Sequence, residues 1–391
     1  MRRRALQCEC LEDRRLLTIT VDTLIDEADG SIVDGDVSLR DALAIAPAGA
    51  TIDFDASLDG GTILLTLGEL AITKAMTVDA TALPSSMTIE QQRFSRLFVI
   101  DDGDSSNEID VEIRGIQLTN GISYSNARAI VSRENLTIVG TSISDSGGIS
   151  SSGTLTIVGT SIRNNYSANN GGGILSLGTL TIVGSTVSDN RVALVGDDTP
   201  ANSGGGIYAT GPTTIVNSTI SGNSAGEGGW GEFYDGEQGG SGGGIMARGP
   251  LTITGSAVFG NSAGRGGFGG MGGGGGDGGV GGGIAAADTV TIRNSTISGN
   301  SAGTGGDSVT NGGNGGTGGG IFVWSTTMTI TSSTITGNTS GAGGFGNVFN
   351  FPGPGNDGVP GAGGGIAVGN VVMSSSMIEN TIMAGNSANG T

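Results

Sequence analysis

Gly204 to Ala225 reads GGGIYATGPTTIVNSTISGNSA, and these 22 residues decide the fold. Three short runs of alternating apolar residues are broken at Gly-Pro, at Asn-Ser and at Gly-Asn. Runs of four or five β-prone residues between tight corners are too short for a helix or a wide antiparallel sheet, and together they predict one triangular coil. Stacked coils would pair strand on strand in parallel, rising about 4.8 Å each, with the inward Ile and Val buried against the coils above and below. One coil alone buries almost nothing, so stability has to arise between neighbours.

The surrounding sequence supplies those neighbours. LTIVGTSISDS from Leu136, LTIVGTSIRNN from Leu155, LTIVGSTVSDN from Leu180, LTITGSAVFGNSA from Leu251, VTIRNSTISGNSA from Val290 and MTITSSTITGNTS from Met328 repeat the block that starts at Thr213. A Gly-Gly-Gly-Ile block accompanies the later copies, with Ile174, Ile207, Ile245, Ile284, Ile321 and Ile366 closing it. From that Ile to the central Ile of the next run is 8 residues in four consecutive copies, 174 to 182 through 284 to 292, and a fixed count means a fixed backbone path. Variable length is confined to glycine-rich insertions such as GEGGWGEFYDGEQGGS from Gly226, read as loops at one corner. Asn223, Asn261, Asn300 and Asn338 recur 38, 39 and 38 residues apart. Asn tolerates a left-handed corner and its amide can bond to the same amide one coil up, so these four are expected to form a buried ladder.

Residues 1 to 120 hold 8 of the 79 glycines but 22 of the 36 acids, and from residue 19 onward TILLTLGELAI, MTVDA, RLFVI and IDVEIRGIQLTNG continue the strand pattern. Ser38, with Asp41 three residues on, predicts a short helix over Leu39, Ala42, Leu43 and Ala46, ended by Pro47 and Gly49, that would cover the open end of the first coil. The expected division is a leader over 1–18, an N-terminal cap over 19–60 and a β-helix repeat domain over 61–391, without an evident cap at its C-terminal end. The fold class expected is all-β: a right-handed parallel β-helix of about 22-residue coils with Gly-rich corner loops and a short capping helix.

Composition narrows function. The net charge of −19 leaves no basic groove for nucleic acid. The absence of histidine removes Ser-His-Asp and Cys-His catalysis and His-based metal sites. Cys8 and Cys10 stand too close for an ordinary disulfide with each other. No stretch reaches the ~18 apolar residues of a membrane helix, and residues 1–20 lack the apolar core of a secretory signal. PGPGNDGVP from Pro352 and GGGGDGG around Asp277 each partly fit a calcium-binding nonapeptide, but that repeat works in tandem. No metal and no cofactor are expected.

Two motifs carry a family resemblance. VSLRDAL at 37–43 resembles the CSLREA motif that precedes bacterial parallel β-helix domains, with Val37 in place of Cys and Asp41 in place of Glu. The six Gly-Gly-Gly-Ile blocks alternating with Ile220 to Asn223 or Val258 to Asn261 resemble the GGA[ILV] and FxxN tetrapeptides of polymorphic outer-membrane protein repeats. LEDRRLL at 11–17 is similar to the LEPR-xLL motif near the start of many large bacterial surface proteins, with Asp13 in place of Pro. The resemblance implies a secreted, cell-surface or outer-membrane-associated protein of passenger or adhesin type. No C-terminal barrel strands of the autotransporter kind are read at its end.

The reading of the residues therefore expects a non-enzymatic surface protein that binds a glycan or protein through its glycine loops, at Trp230, Glu232, Phe233, Tyr234, Asp235 and Glu237. The loop aromatics Phe268, Phe345, Phe349 and Phe351 are expected either to fold back on the coils or to stand exposed as contact anchors. The alternative is a polysaccharide-active β-helix enzyme of pectate-lyase type. That reading needs convergent carboxylates beside a basic residue, and no stacked acid–base cluster is evident along the repeat strands. If one existed, it would lie among the acids of residues 90 to 112.

Overall fold

The computed structural model describes residues 18–31, 35–93, 95–106, 108–121, 128–193, 199, 201–324, 327–348, 355–369 and 375–388. Cys8, Cys10, the LEDRRLL segment, Phe349 and Phe351 lie outside them.

Each copy of the repeat contributes one short strand to each of three long parallel sheets. Among the described residues the first sheet has 12 strands, from Thr18–Val21 to Ser375–Glu379, the second has 11, from Thr62–Leu65 to Ile382–Ala384, and the third has 10, from Leu70–Ile72 to Ile366–Val368. The chain is a right-handed parallel β-helix, as the coil pattern predicts. Register follows the apolar pattern: Ile182, Ile215, Ile253, Ile292 and Ile330 are consecutive partners in the first sheet. Ile220, Val258, Ile297 and Ile335 do the same in the second, and Ile207, Ile245, Ile284 and Ile321 in the third. All these side chains are fully buried in one continuous core. A one-residue slip would turn each row out to water, so burial fixes the register.

The corners need left-handed backbone, and the residues there are the types that tolerate it. Between the first and second sheets stand Gly184, Asn217, Gly255, Asn294 and Ser332, with φ of 57°, 49°, 61°, 49° and 51°. After the second sheet the left-handed position is held by Asn164, Asp189, Gly222, Gly260 and Gly299. The ladder asparagines are the next residue along and are not left-handed themselves, which corrects the corner role expected of them. Turned inward by that preceding residue, Asn223 donates from Nδ2 to Asn261 Oδ1 at 2.9 Å, Asn261 to Asn300 at 2.9 Å, and Asn300 to Asn338 at 2.9 Å. The row also includes Asn165 and Asn190 before these four and Asn386 after them. A hydroxyl row at the other corner runs alongside, with the amides of Ser185, Ser218, Ser256 and Ser295 each donating to the next coil's Ser Oγ at 3.1–3.2 Å.

The glycine insertions are not free excursions. From Gly226, Gly264, Gly303 and Gly341 the chain leaves the coil and returns, and each leg bonds to its neighbours with a period of three residues. Gly264, Gly267 and Gly270 donate sideways to Gly240, Glu237 and Gly231, while Gly266 and Gly269 donate to Thr304 and Asp307 in the next layer. Gly303 and Gly306, and then Gly341 and Gly344, repeat the pattern. Extended chains with three residues per turn have no internal hydrogen bonds, and close association of their backbones admits only glycine at the crowded positions. A Cβ on Gly264, Gly267 or Gly303 would lie 1.7, 1.9 or 1.8 Å from a neighbouring carbonyl oxygen. The insertions are thus a hydrogen-bonded glycine slab attached to the solenoid. Every third residue, such as Glu227, Trp230 and Phe233, carries the side chains; the local Gly-x-Gly-Gly-x-Gly period was the signal in the sequence.

At the other end the helix Leu39–Ile45 lies over the first coils with Leu39, Ala42 and Leu43 buried and Ser38 as its N-cap. Lys74, the single lysine, donates from Nζ to the carbonyls of Ala44 and Ala46 at 3.1 Å and closes the helix C-terminus. Arg40 binds Asp26 through Nε at 2.7 Å and the carbonyls of Glu69 and Gly68 at 2.8 and 2.9 Å. Asp26, 1% exposed, also accepts the amides of Thr66 and Leu67 at 2.6 and 2.8 Å. This gives the Arg of the VSLRDAL segment a physical role: it ties the cap to the coils. Arg40→Ala should cost about 3 kcal/mol, because it leaves a buried carboxylate unpaired, and urea unfolding followed by far-UV circular dichroism measures it.

Burial by itself would raise the Asp26 pKa; the Arg40 guanidinium and the two amides outweigh it and hold the carboxyl below its ordinary 3.8. The stability this confers is present above that ordinary value and is lost as pH falls through the lower folded value. Melting temperatures of the wild type and Asp26→Asn should therefore converge as the pH is taken below 4.

Candidate active site

The corner between the third and first sheets carries charge in two successive coils. The chain leaves Phe98–Ile100 at Asp101 and Asp102, and leaves Ile130–Ser132 at Arg133 and Glu134. Parallel pairing of Ser132 with Ile100 sets Arg133 beside Asp101 and Glu134 beside Asp102. Arg133 donates from Nη1 to Asp101 Oδ2. Glu134 is 3% exposed, and the loop after Asp101 arches round it: its Oε1 accepts the Asp102 amide at 3.3 Å and its Oε2 the Ile109 amide at 3.0 Å. One oxygen each of Asp101, Asp102 and Glu134 falls within 4.8 Å of the others. Asp104 closes its own turn, accepting the Ser106 amide and hydroxyl at 2.9 and 2.6 Å.

Asp101, Asp104, Glu108, Arg133 and Glu134 border an open trough of about 450 Å³, together with Ser105 and Ser152. The Gly103 amide, with help from Arg133, outweighs desolvation and holds Asp101 below the ordinary carboxylate pKa, and the Ser106 hydroxyl and amide do so for Asp104. Both are therefore anions at neutral pH. Three carboxylate oxygens at this separation form a hard donor set of the kind that suits a divalent cation with ligand distances of about 2.3–2.6 Å. They are too close for the ~6.5–9.5 Å spacing of an inverting glycosidase.

The sequence reading placed any enzymatic site among the acids of residues 90 to 112 but missed Arg133 and Glu134. In the next four coils the row of Glu134 is glycine, at Gly153, Gly178, Gly211 and Gly249, each packed on the backbone of the coil before it, and the row returns to an acid at Asp288. An acid where the neighbouring coils hold glycine was the available signal. The six loop residues expected to bind are not one site. Trp230, Glu232 and Phe233 border a hollow at the slab's tip, Tyr234 is exposed beside it, Asp235 accepts the Gly274 amide at 2.6 Å in the next layer, and Glu237 is half-buried in the slab.

No protein-family description and no curated protein matches the chain. Among solved structures, it is similar to the A-module of mannuronan C-5 epimerase AlgE4 of Azotobacter vinelandii, at 13% identity over 88% of this chain and 89% of that one, TM-score 0.48. The AlgE6 A-module of the same organism is 12% identical over 92% and 96%, TM-score 0.37. Pectate lyase Pel9A is 14% identical over 87% and 79%, TM-score 0.30. These likenesses concern the fold. The expectation of a non-enzymatic, adhesin-type chain is corrected at its ground, the lack of an acid–base cluster on stacked coils, because Asp101, Asp102, Arg133 and Glu134 form one.

Proposed function

We propose that the chain is a polysaccharide-active β-helix enzyme that removes the proton alpha to the carboxylate of a uronate residue, as a lyase or an epimerase does. The observation that carries this is the convergence of Asp101, Asp102 and Glu134 with Arg133 at one open corner. A divalent cation held by the three carboxylates would neutralise the substrate's carboxylate and acidify the neighbouring carbon. Arg133, turned largely to solvent, supplies a second positive group for the same carboxylate. Asp104 and Glu108, which also line the trough, are the carboxylates that would take up the proton. In a lyase the carbanion electrons then form a double bond as the C–O bond breaks and the glycosidic oxygen takes a proton from water; in an epimerase a proton from water is added to the other face.

A uronate polymer is an extracellular substrate, and the VSLRDAL segment supports placing the chain with the CSLREA-type β-helix proteins of secreted or surface location. The test is incubation with polygalacturonate and with alginate in the presence of calcium, reading ultraviolet absorbance for unsaturated ends and solvent deuterium uptake for epimerisation. One of the two signals is expected. The combined change Asp101→Asn, Asp102→Asn and Glu134→Gln should lower it about 100-fold. Neither signal on either polymer, or a rate the triple change leaves intact, would overturn the proposal.

A further inference from the structure

The tip of the glycine slab differs from the rest of the surface. On its outgoing legs the side chains recur at every third residue, as at Glu227, Trp230 and Phe233 or Arg265, Phe268 and Met271, and toward the outer end these are large and apolar. Trp230 is 53% exposed, Phe233 60% and Met271 69%, and Trp230 meets Phe268 edge to face with centroids 6.1 Å apart. The rings of Trp230, Phe233 and Phe268, with Met271, Glu232 and Val309, border a hollow of about 250 Å³ that no described Lys or Arg lines. A core role is excluded, because the coils' own apolar core lies at the other end of the slab's legs. The backbone that presents the rings is tied on both sides. Gly231 donates to Phe268 O at 3.0 Å, Gly269 to Asp307 O at 3.0 Å, and Gly270 to Gly231 O at 2.6 Å. The platform is therefore set before any ligand arrives, which lowers the ordering cost of binding.

We infer that this tip is a binding face for a neutral glycan, separate from the acid trough and independent of the reading of that trough. Charge selects the class of ligand. Glu232 borders the hollow and Asp235 stands beside it, while Arg265 in the next layer is already paired with Asp307 at 2.6 Å, so nothing there compensates a uronate, a phosphate or a nucleic-acid backbone. A pyranose offers what the hollow lacks: an apolar face of C–H groups to lie on the Trp230 and Phe233 rings, and hydroxyls to donate to Glu232. Concave, mostly aromatic walls with a few convergent polar groups are the usual form of a small-ligand site.

The test is electrophoresis of the whole chain through gels containing hydroxyethylcellulose, glucomannan or polygalacturonate. Retardation by at least one neutral polymer and not by polygalacturonate is expected, insensitive to salt because no ion pair is involved. Trp230→Ala and Phe233→Ala should each weaken it at least tenfold with unchanged melting, and the triple change at Asp101, Asp102 and Glu134 should leave it intact. Loss of turnover with retention of binding thus separates the two proposals. No retardation by either neutral polymer would overturn the inference. So would retardation that disappears in high salt, or a concentration-dependent dimer that Trp230→Ala abolishes.

Discussion

Ile215→Asp should unfold the coils around it, lowering stability by about 5 kcal/mol or more, since it places an unpaired carboxylate between Ile182 and Ile253 in a fully buried row. Sequence alone would contrast this with a harmless change in the glycine insertions. The slab removes that contrast. Gly267→Ala puts a methyl 1.9 Å from the Gly229 carbonyl oxygen, and the only relief is to push adjacent layers apart and break the bonds Gly267 makes to Glu237 and receives from Gly276. About 3 kcal/mol is expected, against less than about 0.5 kcal/mol for Glu227→Ala, an exposed position on the neighbouring layer's leg. Urea midpoints of the three variants provide the measurement. A Gly267→Ala midpoint equal to that of Glu227→Ala would mean that the insertions are loose loops after all.

The second large effect concerns the asparagine row. Asn261 accepts from the Asn223 amide and side chain at 3.0 and 2.9 Å, and donates to Asn300 Oδ1, Ile220 O and Phe259 O at 2.9, 3.0 and 3.1 Å. Asn261→Ala leaves those partners buried and without their bond, on three consecutive coils. At about 1–3 kcal/mol for each unsatisfied buried group, relaxation permitting, the loss should reach about 3–5 kcal/mol. Asn314→Ala, at an exposed slab position where the side chain accepts one amide at 3.0 Å, should cost no more than about 1 kcal/mol. Coincident midpoints would show that the row contributes nothing beyond ordinary corner bonding. Asn261→Asp is a further check, since it keeps the acceptor but buries a charge that cannot donate to Asn300.

The coil, its register and the capping helix were legible because each depends on local pattern. Ile every second residue in a short run, glycine or asparagine where φ is positive, and Ser38 three residues before Asp41 carry their consequences within a few residues of chain. Stacking then needs only that identical rows meet, which the repeat guarantees. What lay beyond the sequence depends on which coils become neighbours. Asp101 and Glu134 are 33 positions apart, and nothing local joins the one to the other; parallel pairing of Ile100 with Ser132 is what brings their carboxylates together. Likewise the glycines of the insertions set composition but not form, since a Gly-rich segment is as compatible with a free loop as with a packed array. The hydrogen bonds from Gly267 to Glu237 and from Gly266 to Thr304 exist only because the layers are already held at strand spacing by the coils. The sequence by itself determined the solenoid, because its signals are periodic and short in range. The tertiary structure alone decided the acid trough and the aromatic tip, because both are made by contacts between coils that sequence distance does not reveal.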